Sequence, residues 1–278
     1  DLKLSKQCGG SVCNSVVAAS FLGAKTFFAG KVANDFDGEL YVRDITAAGV
    51  DFFANKQDFG STGKCLVMVT SDAERTMNTY LGVSETLSCN DIDLEALKNS
   101  EWLYVEGYLV TDKKRKAVIK ETIGYANENG VKTAITLSDK SIVEIFGDAL
   151  RDCMGSGVDL IFCNKSEALA FTGRNDLDSA IEDLKAYTKT FVITDGSNGA
   201  ITFDGDSLMR SEGVSTEAVD TNGAGDMFAG AFLYAITSKK SFGWAARLAN
   251  ACASKVVAKF GPRLEMDAFS DIRKTFGI

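Results

Sequence analysis

The chain has 278 residues, 45% hydrophobic and 24% charged, the ordinary mix of a globular protein with a sizeable core. Its 30 basic and 38 acidic side chains give a net charge of −8, and no apolar run approaches the roughly 18 residues of a membrane span, so neither nucleic acid nor a membrane is an expected partner. Histidine is missing, which removes Ser-His-Asp and Cys-His catalysis and His-ligated metals and leaves acid–base work to Asp, Glu, Lys, Tyr or Cys.

In chain order, residues 25–31 read as a strand and 36–48 as a helix. Three β-like runs follow with no helix between them, at 51–55, 65–70 and 76–81, separated by turn residues Asp58, Gly60, Ser61 and Gly63 and then by 71–75. Strand and helix then alternate: strands at 102–106, 131–137, 158–163 and 191–194, helices at 112–129 and 140–154. Short strand-like pieces after Ala200 give way to helices at 224–239, 242–259 and 265–275. The alternation predicts β-α-β units around a mostly parallel sheet covered by helices, an α/β fold. The helix-free stretch predicts a small antiparallel sheet, either a lid over a site or an edge meander. The division expected is a core of residues 1–49 and 83–278 with a lid at 50–82. Seven scattered cysteines form no C-x-x-C pair, so neither zinc nor a disulfide framework is indicated. With no signal peptide visible in a chain that does not begin with Met, the cytoplasm is the expected compartment.

The strongest local signal is Asp220-Thr221-Asn222-Gly223-Ala224-Gly225-Asp226 before MFAGAFLYAI. Glycines 223 and 225 free the backbone of Cβ crowding where a helix starts, so successive N–H groups can converge on an anion with the helix dipole behind them. Asp226, in the first turn, can stay ionised there and accept a proton from an attacking hydroxyl. An anion hole and a base within seven residues suit phosphoryl transfer, although a glycine turn with a capping Asp gives the same letters. Other nucleotide motifs fail: Gly63-Lys64 is followed by Cys65 with Asp58 at the first glycine position of a P-loop, and Phe228 stands where a dinucleotide fold needs glycine.

DTNGAGDMFAGAFL (220–233) resembles the C-terminal signature of the PfkB, or ribokinase-like, family of sugar and nucleoside kinases, at every constrained position. Gly9-Gly10-Ser11-Val12-Cys13-Asn14, Leu22-Gly23-Ala24 and the stretch from Gly30 through Asp35 to Gly38 resemble its N-terminal signature, and the similarity runs from about Gly9 to Arg263. The resemblance implies a ribokinase-like α/β/α sandwich with a mostly parallel central sheet and a β-sheet lid. It implies ATP and Mg²⁺, with room for a monovalent cation such as K⁺.

The resemblance also implies roles. Asp226 would be the base, and the amides of Gly223, Ala224 and Gly225 would hold the transferring phosphoryl group. Asn164 and Glu167 match an N-x-x-E element, with Glu167 organising Mg²⁺ through water; alone, such a motif is more often a helix cap. Thr194, Gly196 and Gly199 resemble a turn lining the ATP site, equally a hairpin between strands. Asn250 matches a position bordering the adenine pocket, or is a helix-surface residue. Gly9, Gly10 and Asn14 match contacts to sugar hydroxyls, although Gly-Gly before a helix is otherwise an ordinary loop. Arg75 sits where adenosine kinases carry a phosphate-reaching arginine, or is an exposed hairpin arginine. No residue before Gly9 supplies the acidic strand of relatives, which leaves one acceptor contact unassigned.

Within the family, Asp220-Thr221-Asn222, Gly9-Gly10-Ser11 with Asn14-Ser15, and the Arg75 segment resemble the adenosine kinase branch. A purine nucleoside phosphorylated at its 5′-hydroxyl is therefore the expected acceptor. Phe52, Phe53, Met68, Met77, Tyr80 and Leu81 would cover the base from one apolar lid face. A kinase for ribose, fructose or 2-keto-3-deoxygluconate is the alternative, as is a catalytically idle binding or regulatory relative. A monomer and a lid-mediated homodimer are both open.

Overall fold

The computed structural model describes residues 5–70, 75–155 and 157–278. The elements run α1 (Ser11–Leu22), β1 (Thr26–Ala33), α2 (Phe36–Ala47), β2 (Val50–Gln57), β3 (Lys64–Val69), β4 (Arg75–Tyr80), α3 (Leu94–Lys98), β5 (Trp102–Glu106), α4 (Lys113–Glu128), β6 (Lys132–Thr136) and α5 (Lys140–Met154). Then come β7 (Val158–Asn164), α6 (Lys165–Thr172), α7 (Leu177–Leu184), β8 (Thr188–Thr194), β9 (Ala200–Phe203), β10 (Leu208–Ser211), α8 (Ala224–Thr237), α9 (Phe242–Val257) and α10 (Met266–Phe276). Several helices start where a polar residue can accept from freed N–H groups: Asp35 from Gly38, Asp112 from Lys114 and Arg115, Asp139 from Ser141, and Asp176 from Ser179.

The main sheet has the order β10-β9-β8-β7-β6-β5. Strands β5 to β8 are parallel, while β9 and β10 run antiparallel. Because side chains alternate along a strand, its central strands are apolar on both faces. Leu160, Phe162 and Val192 join a cluster with α1, α8, α9 and α10, whereas Ile161, Cys163, Phe191 and Ile193 join another with α4, α5, α6 and α7. Two clusters on opposite faces of one sheet make the expected α/β/α sandwich. The helices α1 and α8 approach so closely that a Cβ on Gly230 would lie 2.2 Å from the Ser15 carbonyl oxygen. Among the described residues no helix is long and apolar enough to cross a membrane.

The helix-free stretch differs from expectation in its pairing. Strand β2 pairs in parallel with β1, in register from Thr26–Val50 to Ala33–Gln57, and only β3 and β4 form an antiparallel hairpin. The cause is α2, which crosses from β1 to β2 as one β-α-β unit. Phe52 packs against Phe28 and Tyr41 at ring distances of 5.4 and 5.9 Å, so it belongs to the small core under β1–β2 and not to a substrate cover. Within the hairpin, Val67 opposes Met77 while Met68 opposes Thr76, which puts the two methionines on opposite faces. The single apolar lid face expected from the sequence is therefore replaced by apolar groups on both faces.

Candidate functional site

Site geometry starts from the turn before α8. Asp220 is buried and accepts from the N–H groups of Asn222 (2.8 Å) and Gly261 (3.0 Å), fixing the turn against the loop after α9. Gly223 has φ 79°, and a Cβ there would lie 2.2 Å from the Pro262 carbonyl oxygen, so both conformation and space require glycine. Gly225 is different. Its φ is not left-handed, and a Cβ on it would meet nothing within 4 Å, so the space over this first turn is open. The Ala224 N–H makes a long 3.4 Å bond to the Thr221 carbonyl.

Asp226, the third residue of α8, faces the start of α1. The Ser11 hydroxyl donates to its Oδ1 and the Asn14 amide to its Oδ2, both at 2.8 Å. Gly10 precedes α1 with φ 106°, and the Gly9 carbonyl accepts from the Tyr41 hydroxyl at 3.1 Å. Asn14 is only 3% exposed, its amide committed to Asp226 and its carbonyl to Arg263.

A second carboxyl adjoins this group that sequence reasoning missed. Glu106, at the carboxyl end of β5, accepts from the Val12 N–H at 3.3 Å. Burial raises its pKa and the charge of Asp226 adds to the rise, while the Val12 N–H and Arg115 oppose it. Its signal was an acid at the end of a strand in a parallel sheet, where α/β folds place ligands. Arg115, on the following helix α4, is 7% exposed and donates to the Thr111 hydroxyl at 3.1 Å.

Asn164 and Glu167 form a reciprocal cap at the start of α6. The Asn164 N–H and side-chain amide donate to Glu167 Oε2 and Oε1 at 3.0 and 2.5 Å, and the Glu167 N–H donates back to Asn164 Oδ1 at 2.9 Å. Burial lifts the Glu167 carboxyl to about 7, against the Asn164 N–H, with the charge of Asp139 adding to the rise. Thr194 ends β8, and Gly196 opens the tight turn into β9, which is the hairpin expected.

These parts line one extended open cleft. It brings together Gly9, Gly10, Asn14, Asn164, Glu167, Thr194, Gly196, Gly223, Ala224, Gly225 and Asp226, with Glu106 and Arg115. Leu66, Val67, Met68, Met77, Tyr80 and Leu81 line it from the hairpin side. Gly199 and Asn250 lie behind it. A Cβ on Gly199 would be 2.0 Å from the Ser211 carbonyl oxygen, and the Asn250 amide donates to the Ser211 hydroxyl (3.2 Å) and the Glu212 carbonyl (3.0 Å). Asn250 is therefore not a surface residue but a buried one that pins the loop after β10. Arg75 opens β4 opposite Val69, and its side chain lies outside the described residues.

The chain is similar in sequence and fold to known proteins. The family described as "pfkB family carbohydrate kinase" matches residues 2–268. An adenosine kinase from Sinorhizobium meliloti of known crystal structure is 35% identical with a TM-score of 0.92, the match covering 96% of this chain and 83% of that one. The adenosine kinase of Saccharomyces cerevisiae is 27% identical over 94% of this chain and 81% of its own length. A 5-dehydro-2-deoxygluconokinase from Halalkalibacterium halodurans is 26% identical over 98% of this chain and 86% of its own.

Proposed function

This chain belongs to the pfkB family of carbohydrate kinases, and on that premise we propose that it transfers the γ-phosphoryl group of ATP to the 5′-hydroxyl of a purine nucleoside. Members of this family are phosphotransferases acting on a hydroxyl, and ATP with a divalent metal belongs to their chemistry. The observation that carries the reading is Asp226 held by Ser11 and Asn14 beside the open space over Gly225.

Two donors aimed at one side chain complement an acceptor-only carboxylate, which is the form a base needs. Asp226 takes the proton of the attacking hydroxyl. Negative charge on the transferring group is met by the amides of Gly223, Ala224 and Gly225 and by the positive end of α8. Glu106, beside Asp226 and with its pKa raised by burial, lies where its carboxyl can hydrogen-bond an acceptor hydroxyl. Mg²⁺ fits the Asn164–Glu167 pair: a buried carboxyl lifted to about 7 ionises more readily when a cation approaches. Glu167 would hold the ion through water with Asn164 fixing the carboxylate, and the ion would neutralise phosphate charge. Thr194 and Gly196 border the nucleotide, and Gly199 and Asn250 brace that wall. Within residues 50–82, the β3–β4 hairpin acts as the lid.

The purine acceptor rests on the adenosine kinase relatives and on the apolar hairpin residues in the cleft, where stacking contributes about 1–3 kcal/mol per base. A sugar or sugar-acid acceptor is the second reading, favoured by the similarity to the gluconokinase. Side-by-side kcat/KM values for adenosine, inosine, ribose, fructose and 2-keto-3-deoxygluconate with ATP and Mg²⁺ decide between them. Adenosine should exceed the free sugars by roughly ten- to hundredfold. A free sugar that matches adenosine moves the chain to the sugar branch.

A further inference from the structure

Asn14 carries a donor and an acceptor on one amide, and either end fits in the same volume. A third residue decides which end meets Asp226. Arg263 follows Pro262 in the loop after α9, and its side chain is 11% exposed. Its Nε donates to Asn14 Oδ1 at 2.7 Å, its Nη1 to Asp44 Oδ2 on α2 at 2.7 Å, and its Nη2 to the Cys13 sulfur at 3.0 Å. A guanidinium only donates, so the Asn14 carbonyl must turn toward it. The amide nitrogen is then committed to the other side, where it reaches Asp226 at 2.8 Å.

We propose that Arg263 is a positioning residue for phosphoryl transfer, acting through Asn14 to hold the Asp226 carboxylate in place. The proposal rests on the reading of Asp226 as the base. Without the guanidinium the Asn14 amide is free to turn, and its carbonyl oxygen would then face a carboxylate oxygen. Two acceptors repel, and a base displaced by about 1 Å can lose about a hundredfold in rate. The anchor is well fixed. Asp44 holds the far side of the guanidinium, while in the two residues before Arg263 the Gly261 N–H bonds Asp220 and the Pro262 carbonyl packs on Gly223. One short loop thus sets both the glycine turn and the orientation of the base.

The test is steady-state kinetics on the purified chain with ATP, Mg²⁺ and adenosine, or the preferred sugar of the panel above. Arg263→Gln should lower kcat about ten- to hundredfold, the range for one charge-assisted hydrogen bond, with both KM values within about threefold. In an Asn14→Ala background the same change should cost less than about threefold more, because the intermediary is gone. Asp44→Asn removes the ion pair but leaves Asn14 its partner, so kcat should stay within about threefold whatever happens to the Tm. If Arg263→Gln does not fold, Arg263→Lys carries the same expectation, since an ammonium cannot hold Asn14 and Asp44 together in a planar fork. Additive losses in the cycle, an equal kcat loss in Asp44→Asn, or a loss confined to KM overturns the proposal. Full turnover in Asp226→Asn overturns the reading of the base and this proposal with it; the preceding outcomes with an inactive Asp226→Asn overturn this proposal alone.

Discussion

Glu167 offers a quantitative check that needs no substrate. Burial lifts its carboxyl from an ordinary 4.5 to about 7, so the folded protein keeps this proton longer than the unfolded chain does. Its contribution to stability is full below about pH 4.5, falls as pH rises toward about 7, and is lost above that. At 1.36 kcal/mol per pH unit the loss comes to about 3 kcal/mol. Glu167→Gln removes the titration. It also turns one acceptor into a donor facing Asn164, at a cost of about 1–3 kcal/mol that does not change with pH. The informative quantity is therefore a difference of differences. Urea denaturation of both proteins at pH 5 and pH 8, without nucleotide or divalent metal, should show wild type losing about 2–3 kcal/mol more than the variant across that interval. Parallel pH dependences for the two proteins would falsify the argument that burial governs this carboxyl.

Asp226→Asn should lower kcat by roughly 10²–10⁴ with modest changes in KM, because the base is gone and an amide nitrogen now competes for the place facing Asn14. Steady-state rates retaining more than about a tenth of wild-type kcat mean that Asp226 is not the base. The two glycines should separate under thermal melts run beside kinetics. Gly223→Ala should destabilise by several kcal/mol, since its Cβ would press on the Pro262 carbonyl from a left-handed backbone. Gly225→Val should change stability by no more than about 1 kcal/mol yet lose most turnover, and an active Gly225→Val would mean the open space is not where the phosphoryl group passes.

Much of the sandwich was legible because its signals are local. The apolar strand runs and the helical patterns that alternate with them are written within a few residues of where they act. The turn before Asp226 was legible for the same reason. Pairing was harder: β2 looks like a hairpin member from its letters, and only α2 crossing over makes it a parallel partner of β1. Phe52 was misplaced, and the partners of Asn250 went unread, because burial depends on what another element brings, the first against Phe28 and Tyr41, the second against Ser211 and Glu212. Glu106 and Arg263 went unread because neither belongs to a short motif. Each matters only through a residue far along the chain, Val12 for one and Asn14 for the other.

The pairing of α1 with α8 also carries a temporal consequence. Asn14 and Arg263 are 249 residues apart, which at ~5–20 residues per second of synthesis is about 12–50 s of elongation. During that interval α1, with Ala18 and Leu22 destined for burial against α8, has left the ribosome before the helix that covers them exists. Its exposed apolar side chains must be shielded by transient contacts or by a chaperone until Gly230 can come up against Ser15. The half-site that will grip Asp226 is thus made well before the helix that carries its partner.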